Sequence, residues 1–389
     1  MFDLFGGNKK VVCPVCVSKI EPNDVRFHCQ NMSCENHEMQ ITRAQLVSRR
    51  NKKNNKGQFI CESCGGNLVK FCSTCATDLP LDIEKLDRKT IAVFGIRASG
   101  KSSYIGSLLR EIHTISYPEK YYVSSTFFSD EIADRVEYDY LNPLQDARLL
   151  DATHAGESKV ISSTISINFE EQEDEKKFIL TLFDMAGESF THMESMKTAD
   201  QKNYMKDLSG IIFIIDPLME GNKELLDSIF GDFQMSPEPT QHHRALTNVI
   251  SYLKLNSGLK TTQKIDIPTA FVIGKIDVLE KSERYGTMNL FRKNVFLNEH
   301  FEINENEIEI NHDQCFNMLY SWSNDYRNRD IGRFVNTMKT EFQNYKIFGV
   351  SALGKEITTT SVVDVNPIRL FEPLLWLFQQ NNIIKMNRW

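Results

Sequence analysis

Apolar residues in this 389-residue chain fall into short runs set apart by longer polar or amphipathic stretches. TIAVF (90–94), SGIIFIID (209–216), IPTAFVIGKID (267–277) and YKIFGVSAL (345–353) are nearly unbroken, the pattern of strands covered on both faces. VISSTISINF (160–169) and KFILTLFD (177–184) flank the acidic stretch EEQEDEKK and read as a hairpin. SSYIGSLLREIHTI and the closing segment RLFEPLLWLFQQNNII are amphipathic with a helical period. NDYRNRDIGRFVNTMKTEF places Ile331, Phe334, Val335 and Met338 on one helical stripe. Strands alternating with helices predict a doubly wound α/β domain over residues 88–389, its sheet mostly parallel with one antiparallel hairpin strand. Ligands of such sheets sit at the strand C-termini. The stretches around 218–265 and 280–343 exceed what simple connections need. They predict helical elaborations, used either for partner contacts or for packing on the domain.

Residues 1–85 lack this periodicity and carry different chemistry. Eight of the nine cysteines fall in the first 75 residues. No apolar run approaches the ~18 residues of a membrane span, and MFDLFGGNKK lacks the basic-then-apolar order of a signal peptide. The expected location is therefore the cytoplasm, with no membrane partner, where dense cysteines mean metal sooner than disulfides. A CxxC turn aims two thiolates at one point ~2.3 Å away, and two such pairs complete the tetrahedron that Zn²⁺ prefers. In chain order the sets are Cys13, Cys16, Cys29 and Cys34, then Cys61, Cys64, Cys72 and Cys75; an interleaved pairing is the alternative. His28 and His37 flank the first set, but four thiolates already suffice. Sites of four thiolates are closed to water, so both zinc ions are expected to be structural and the segment a small zinc-ribbon domain. The basic loop 49–56 could grip a nucleic-acid backbone, yet no aromatic residue interleaves with it and a solvated loop is the plainer reading. Residues 1–89 hold 14 Lys and Arg against 10 Asp and Glu, so the head is mildly basic within a chain of net charge −7.

The candidate chemistry of the body sits where the apolar runs end. TIAVF leads into Gly95-Ile-Arg-Ala-Ser-Gly100-Lys101-Ser102 and then an amphipathic helix, the context a phosphate-cradling loop requires. Amides of Gly95, Ala98, Ser99, Gly100 and Ser103, with the helix N-terminus, would face phosphates. Lys101 would bridge the β and γ groups, and Ser102 would ligate Mg²⁺. The second hairpin strand ends in Asp184-Met-Ala-Gly187: a Mg²⁺-side carboxylate, then a γ-phosphate-sensing amide. IPTAFVIGKID ends in Lys275-Ile-Asp277, whose carboxylate can accept from guanine N1–H and the 2-amino group. Adenine offers neither donor, so Asp277 favours GTP over ATP. Lys275 would lie over the base, and Ser351-Ala352 would offer a backbone N–H to guanine O6.

With these residues set out, the chain resembles the bacterial double-GTPase (DO-GTPase) proteins, zinc-ribbon-headed P-loop GTPases of the TRAFAC clade found in conflict and antiphage systems. The likeness rests on CPVC…RFHCQNMSC…CESC…CSTCATDLP, IAVFGIRASGKSSYIGSLL, LFDMAGES, IIDPL, VSALG and NPIRLFEPLLWLF. It implies a Mg²⁺-dependent GTP-binding and GTP-hydrolysing switch acting with partner proteins of the same conflict system, plausible in antiphage defence. The chain departs from the wider pattern in three places. Gly274 stands where an Asn or Thr opens the base-reading motif, which should loosen guanine preference. Glu188 stands where Ras-type enzymes carry the glutamine that orients water; a carboxylate could act as a base but would face phosphate charge. Arg97 occupies the third loop position, either as a built-in arginine finger or as a solvent-facing side chain. Thr153 is the better candidate for the switch threonine, because Thr164 falls inside a strand. Two other readings stay open: a nucleotide-gated scaffold with little turnover, and a zinc-ribbon nucleic-acid binder regulated by GTP.

Overall fold

The computed structural model describes residues 11–37, 39–114, 121–127, 130–146, 148, 150, 158–169, 176–185, 205–218, 226–227, 229, 241–282, 284–288, 290, 305–324, 328–354 and 365–384. In the head, β1 (Val11–Val12) and β2 (Lys19–Ile20) form a hairpin. β3 (Arg26–Cys29), β4 (Ile41–Thr42), β5 (Leu68–Phe71) and β6 (Asp78–Leu79) form an antiparallel sheet in the order β4-β3-β5-β6. The short helix α1 (Arg43–Ser48) starts on a capping box, with Thr42 Oγ1 accepting from the Gln45 amide.

The body is built on a seven-stranded sheet. Its strands are β7 (Asp87–Gly95), β8 (Tyr121–Phe127), β9 (Ser158–Phe169), β10 (Lys176–Met185), β11 (Leu208–Ile215), β12 (Thr269–Ile273) and β13 (Tyr345–Gly349). Their spatial order is β13-β12-β11-β7-β10-β9-β8, mostly parallel; β9 alone runs against the rest, pairing antiparallel with both β10 and β8. The α/β class and the hairpin of the apolar pattern are both present. One strand is additional: β8, YYVSSTF, pairs with β9 at the sheet edge. Its Ser124, Ser125 and Thr126 break the apolar run, as an edge position permits, so hydropathy does not announce it.

Helices cover both faces, as the alternation requires. Those of the body are α2 (Lys101–Thr114), α3 (Asp130–Val136), α4 (Asn142–Gln145), α5 (His242–Ser257), α6 (Glu305–Asn324), α7 (Arg329–Glu341) and α8 (Glu372–Gln380). One core joins the sheet to α5, α6 and α7 through Leu246, Val249, Met318, Trp322 and Phe334. The other joins it to α2 and α8 through Tyr104, Ile105, Leu108, Leu374 and Trp376. The anticipated stripe of Ile331, Phe334, Val335 and Met338 is buried in full, so in this region the elaboration packs on the domain.

The head also joins the sheet. Ser162 Oγ on β9 donates to Pro14 O at 2.6 Å and lies 3.1 Å from Thr181 Oγ1 on β10. Val17 belongs to the sheet core with Phe183, while Ile179 of β10 belongs to the head core with Phe27 and Leu68. Among the described residues, no helix is long and apolar enough to cross a membrane.

Phe334 is the keystone of the α7 contact. Its ring centroid lies 5.5 Å from Phe213 and 5.7 Å from Phe271, with the latter edge-on at 86°. Phe334→Ala is expected to lower unfolding stability by about 3–5 kcal/mol in denaturant titration, while a Lys339→Ala change on the same helix costs under about 1 kcal/mol.

Candidate functional site

β7 ends at Gly95, and the chain then turns through Ile96–Gly100 into α2. Only glycine fits at 95, because a Cβ would lie 2.7 Å from Ser99 Oγ and 2.8 Å from Ile214 O. The loop crest needs left-handed backbone at Ala98 (φ 59°) and Gly100 (φ 90°). Ser99 is buried and its hydroxyl donates to Ile96 O at 2.9 Å, so it braces the loop from within. Tyr104 N–H bonds Gly100 O at 2.8 Å and starts the helix, whose N-terminus opens onto the loop.

Lys101 lies inside this loop. Its ammonium donates to Gly95 O at 3.0 Å and Ile96 O at 2.7 Å, and its side chain is buried. Burial lowers its pKa from 10.5 to about 8, against the pull of the Asp184 charge. Asp184 is fully buried near the end of β10, held there by the pairing of β10 with β7 that sets it opposite Val93. Its Oδ2 accepts from the Tyr140 hydroxyl at 3.3 Å. Tyr140 sits in a π-helical turn, Glu137–Leu141, between α3 and α4. Burial holds its pKa well above the ordinary phenol range, so it remains a donor. Gly106 of α2 admits this turn, since a Cβ there would meet Leu150, Leu144 and Tyr140 at 3.0–3.3 Å. Arg97 is exposed at the loop tip, and Ser102 and Ser103 are half-buried on the first turn of α2. Thr153, Gly187 and Glu188 lie outside the described residues.

The segment expected to read the base follows β12. Lys275 takes a left-handed conformation (φ 51°) and caps a 3-10 turn, Ile276–Lys281, that holds the half-buried Asp277. Lys275 Nζ reaches back to the phosphate loop, donating to Ala98 O at 2.9 Å and to Asp216 Oδ2 at 2.8 Å. Ser351 follows β13, but its amide donates to Ile368 O at 3.0 Å and its Oγ accepts from Gly354 N–H at 2.9 Å. The expected backbone donor for a base oxygen therefore narrows to Ala352. Tyr140 and Asp216 are the site residues that sequence reasoning missed. Asp216 had a signal, a carboxylate closing the apolar run SGIIFIID; Tyr140 had none, because a π turn has no hydropathy signature.

The cysteines pair differently from chain order. Cys13, Cys16, Cys72 and Cys75 form one group, and Cys29, Cys34, Cys61 and Cys64 the other. Measured Sγ–Sγ separations are 3.6 Å (Cys13–Cys75), 3.5 Å (Cys16–Cys72), 3.4 Å (Cys29–Cys64) and 3.7 Å (Cys34–Cys61). A tetrahedron with Zn–S bonds of ~2.3 Å has edges of ~3.8 Å, so the donor set fits zinc. The reason for interleaving is the antiparallel pairing of β3 with β5, which brings Cys29 opposite Leu68 and so near the Cys61–Cys64 turn. Each CxxC turn repeats one geometry. The residue after the second cysteine is left-handed and bonds the first cysteine's carbonyl: Val17 to Cys13 O, Gly65 to Cys61 O, Ala76 to Cys72 O. N–H groups also point at sulfur, from Val15 to Cys13 at 3.4 Å and from Asn36 Nδ2 to Cys61 at 3.3 Å, as thiolate ligands require. His28 and His37 stay outside both groups; His28 Nε2 pairs with Asp78 and His37 Nδ1 with Cys29 O.

Comparison with known proteins gives a family. The family model described as Double-GTPase 2 matches residues 89–293, which run from β7 past the base-reading turn. Among curated proteins, none matches the chain significantly. The GTPase-like domain of S. cerevisiae Ski7, solved bound to GTP, is 13% identical with a TM-score of 0.34, covering 77% of this chain and 51% of that one. The chain thus spans about half the length of that structure. The Arl6 BBS3 small GTPase from Trypanosoma brucei, solved with GppNp, is 10% identical with a TM-score of 0.30, covering 77% of this chain and 99% of that one.

Two outcomes follow from this geometry. Metal analysis is expected to find two zinc ions per chain. Cys29→Ser with Cys61→Ser should leave one, whereas Cys13→Ser with Cys29→Ser should leave none; the reverse pattern would restore the chain-order pairing. Second, burial lowers the Lys101 pKa to about 8, and the charged ammonium is the form expected to hold phosphates. Binding must then take up a proton, so fluorescent guanine-nucleotide affinity should fall as pH rises through 8, by up to about tenfold per unit. Lys101→Ala should bind weakly and lack this slope.

Proposed function

The chain belongs to the Double-GTPase 2 family, and on that premise we propose that it is a Mg²⁺-dependent GTP-hydrolysing switch read by partner proteins. The observation that carries the reading is the buried Lys101, folded onto carbonyls of its own loop and electrostatically coupled to Asp184. A lysine desolvated this far is costly to keep without an anion. The β and γ phosphates would take over the bonds it now makes to Gly95 O and Ile96 O. Loop amides from Ala98 to Ser103 would hold the remaining phosphate oxygens.

Ser102 and Asp184 would hold Mg²⁺, with Tyr140 orienting the carboxylate. The ion supplies charge neutralisation across the β and γ groups. Asp277 would accept the two guanine donors, Lys275 would cover the base, and the Ala352 amide would donate to O6. Thr153, Gly187 and Glu188 are assigned to the γ-phosphate side: threonine over the metal, glycine amide on the phosphate, carboxylate near the water. Arg97, exposed at the loop tip, is assigned as a built-in cation that offsets the charge of the departing phosphate. The zinc head is structural, occupying residues 1–85 as a unit set on the GTPase domain of 88–389. Its partners are taken to be proteins of the same conflict system, in antiphage defence, in a cytoplasmic setting.

Phosphate release from GTP under Mg²⁺ tests the reading, with Lys101→Ala setting the background. Release indistinguishable from that background, with and without added cell extract, would replace the enzyme by a nucleotide-gated scaffold. Arg97→Ala is expected to slow hydrolysis on the order of 10²-fold with GTP affinity unchanged. A rate equal to the parent's would leave Arg97 without catalytic weight.

A further inference from the structure

Gly274 leaves a gap in the base-reading machinery that the neighbouring residues fill. An Asn at that position would tie the base loop to the phosphate loop through its side chain. Here the glycine lies close to the phosphate loop, since a Cβ on Gly274 would lie 3.4 Å from Ser99 O and 3.3 Å from Ile214 Cγ2 of β11. The tie comes instead from Lys275, whose ammonium spans Ala98 O of the phosphate loop and Asp216 Oδ2.

A flexible lysine bridges two loops only if something fixes its head, and Asp216 is built for that. It is 6% exposed and follows directly on β11, the strand between β7 and β12. Its Oδ1 accepts from Leu218 N–H at 2.9 Å, and its own N–H donates to His242 Nε2 at 3.0 Å. His242 opens α5, and Asp330 of α7 accepts from the amides of His242 at 2.9 Å and His243 at 3.3 Å. Asp216 is thus anchored once through its carboxylate and once through its backbone before it meets the lysine. A carboxylate this buried also needs a cation beside it, especially close to bound phosphates.

We propose that Asp216 is a positioning residue for guanine recognition. It fixes Lys275 as the bridge between base loop and phosphate loop, and so sets the place of Asp277 two residues later. It thereby does for this chain what an Asn at 274 would do. The proposal rests on the guanine-nucleotide reading above.

Competition titrations with fluorescent GDP, using GDP and ADP as probes on the full chain, test it. Asp216→Asn keeps the volume and the acceptor for Leu218, but turns an amide donor toward the ammonium and breaks the bridge. It should weaken GDP about tenfold or more and narrow the GDP-over-ADP preference. Lys275→Ala should do the same, and the double variant should be no worse than the weaker single, because both act through one contact. Adding Asp277→Asn, which removes the base contact itself, should then cost little more in selectivity. Thermal unfolding controls for folding, and Asp216→Ser, still able to accept from Leu218, gives the same readout if Asp216→Asn does not fold. Additive losses in the Asp216/Lys275 pair, or an Asp216→Asn protein with parental affinity and preference, would overturn the role of Asp216 while leaving guanine recognition intact. A parent chain that binds GDP no better than ADP would overturn the guanine reading and this proposal together.

Discussion

The register of three central strands is the constraint on which the site depends. β7 pairs in parallel with β10 and β11 at once, setting Asp184 opposite Val93 and Ile214 opposite Gly95. Parallel pairing points these strands the same way, so their C-terminal ends open onto one edge. The phosphate loop, Asp184, Asp216 and, through β12, Lys275 all emerge there. A slip of one residue in either pairing would exchange the two faces, sending Phe94 and Phe213 of one core into the places of Val93 and Ile212 in the other, which close packing resists. Burial of residues such as Phe94, Phe213 and Phe183 therefore fixes the positions of charges that make none of the core contacts themselves.

Those charges are arranged so that each buried group has a counter-charge or a carbonyl within reach. Lys101 rests on two carbonyls and feels Asp184; Lys275 rests on one carbonyl and Asp216. Both lysines thus bond the same short loop from opposite sides, one from within and one from the base loop. Breaking either set exposes a desolvated charge, costing more than the bond itself contributes when made. Under the proposed function, a polyphosphate would exchange the Lys101 bonds for its own while the Lys275 side stayed in place.

What could be read from the sequence was whatever local pattern dictates. The apolar runs gave six of the sheet strands, because strands covered on both faces carry that signature. The stripe at Ile331, Phe334, Val335 and Met338 foretold α7, and Gly95 through Ser102 foretold the loop and the helix after it. Edge strand β8 escaped because half of it needs no burial. Tyr140 escaped because a tyrosine reaches a carboxylate 44 residues away only through packing of a π turn against α2. The role of Ser351 changed for the same kind of reason: its amide is taken by Ile368, a partner no short motif includes. The cysteine spacings announced the ligands, but their grouping is decided by strand pairing, which is long-range.

That grouping has a mechanical consequence for the rest of the molecule. Chain-order sites would each close a short loop and leave two knuckles free to swing. Interleaving instead brings Cys13 to Cys75 across 62 residues and Cys29 to Cys64 across 35, so metal held there would close the segments between at both levels. Longer loops lose more conformational freedom when closed, so the same number of zinc–thiolate bonds constrains more chain. The turn of the first knuckle is also the part that meets the sheet. Pro14 O accepts from Ser162, and Val17, held left-handed by the knuckle, sits in the core beside Phe183. Ser162 in turn touches Thr181, three residues before Asp184 on β10. A metal that fixes the conformation of Val17 therefore also fills a place in the core behind the strand that carries Asp184. The head can separate from the sheet only by exposing Val17 and Ile179 to water, so its attachment is a matter of shared core and not of surface contact.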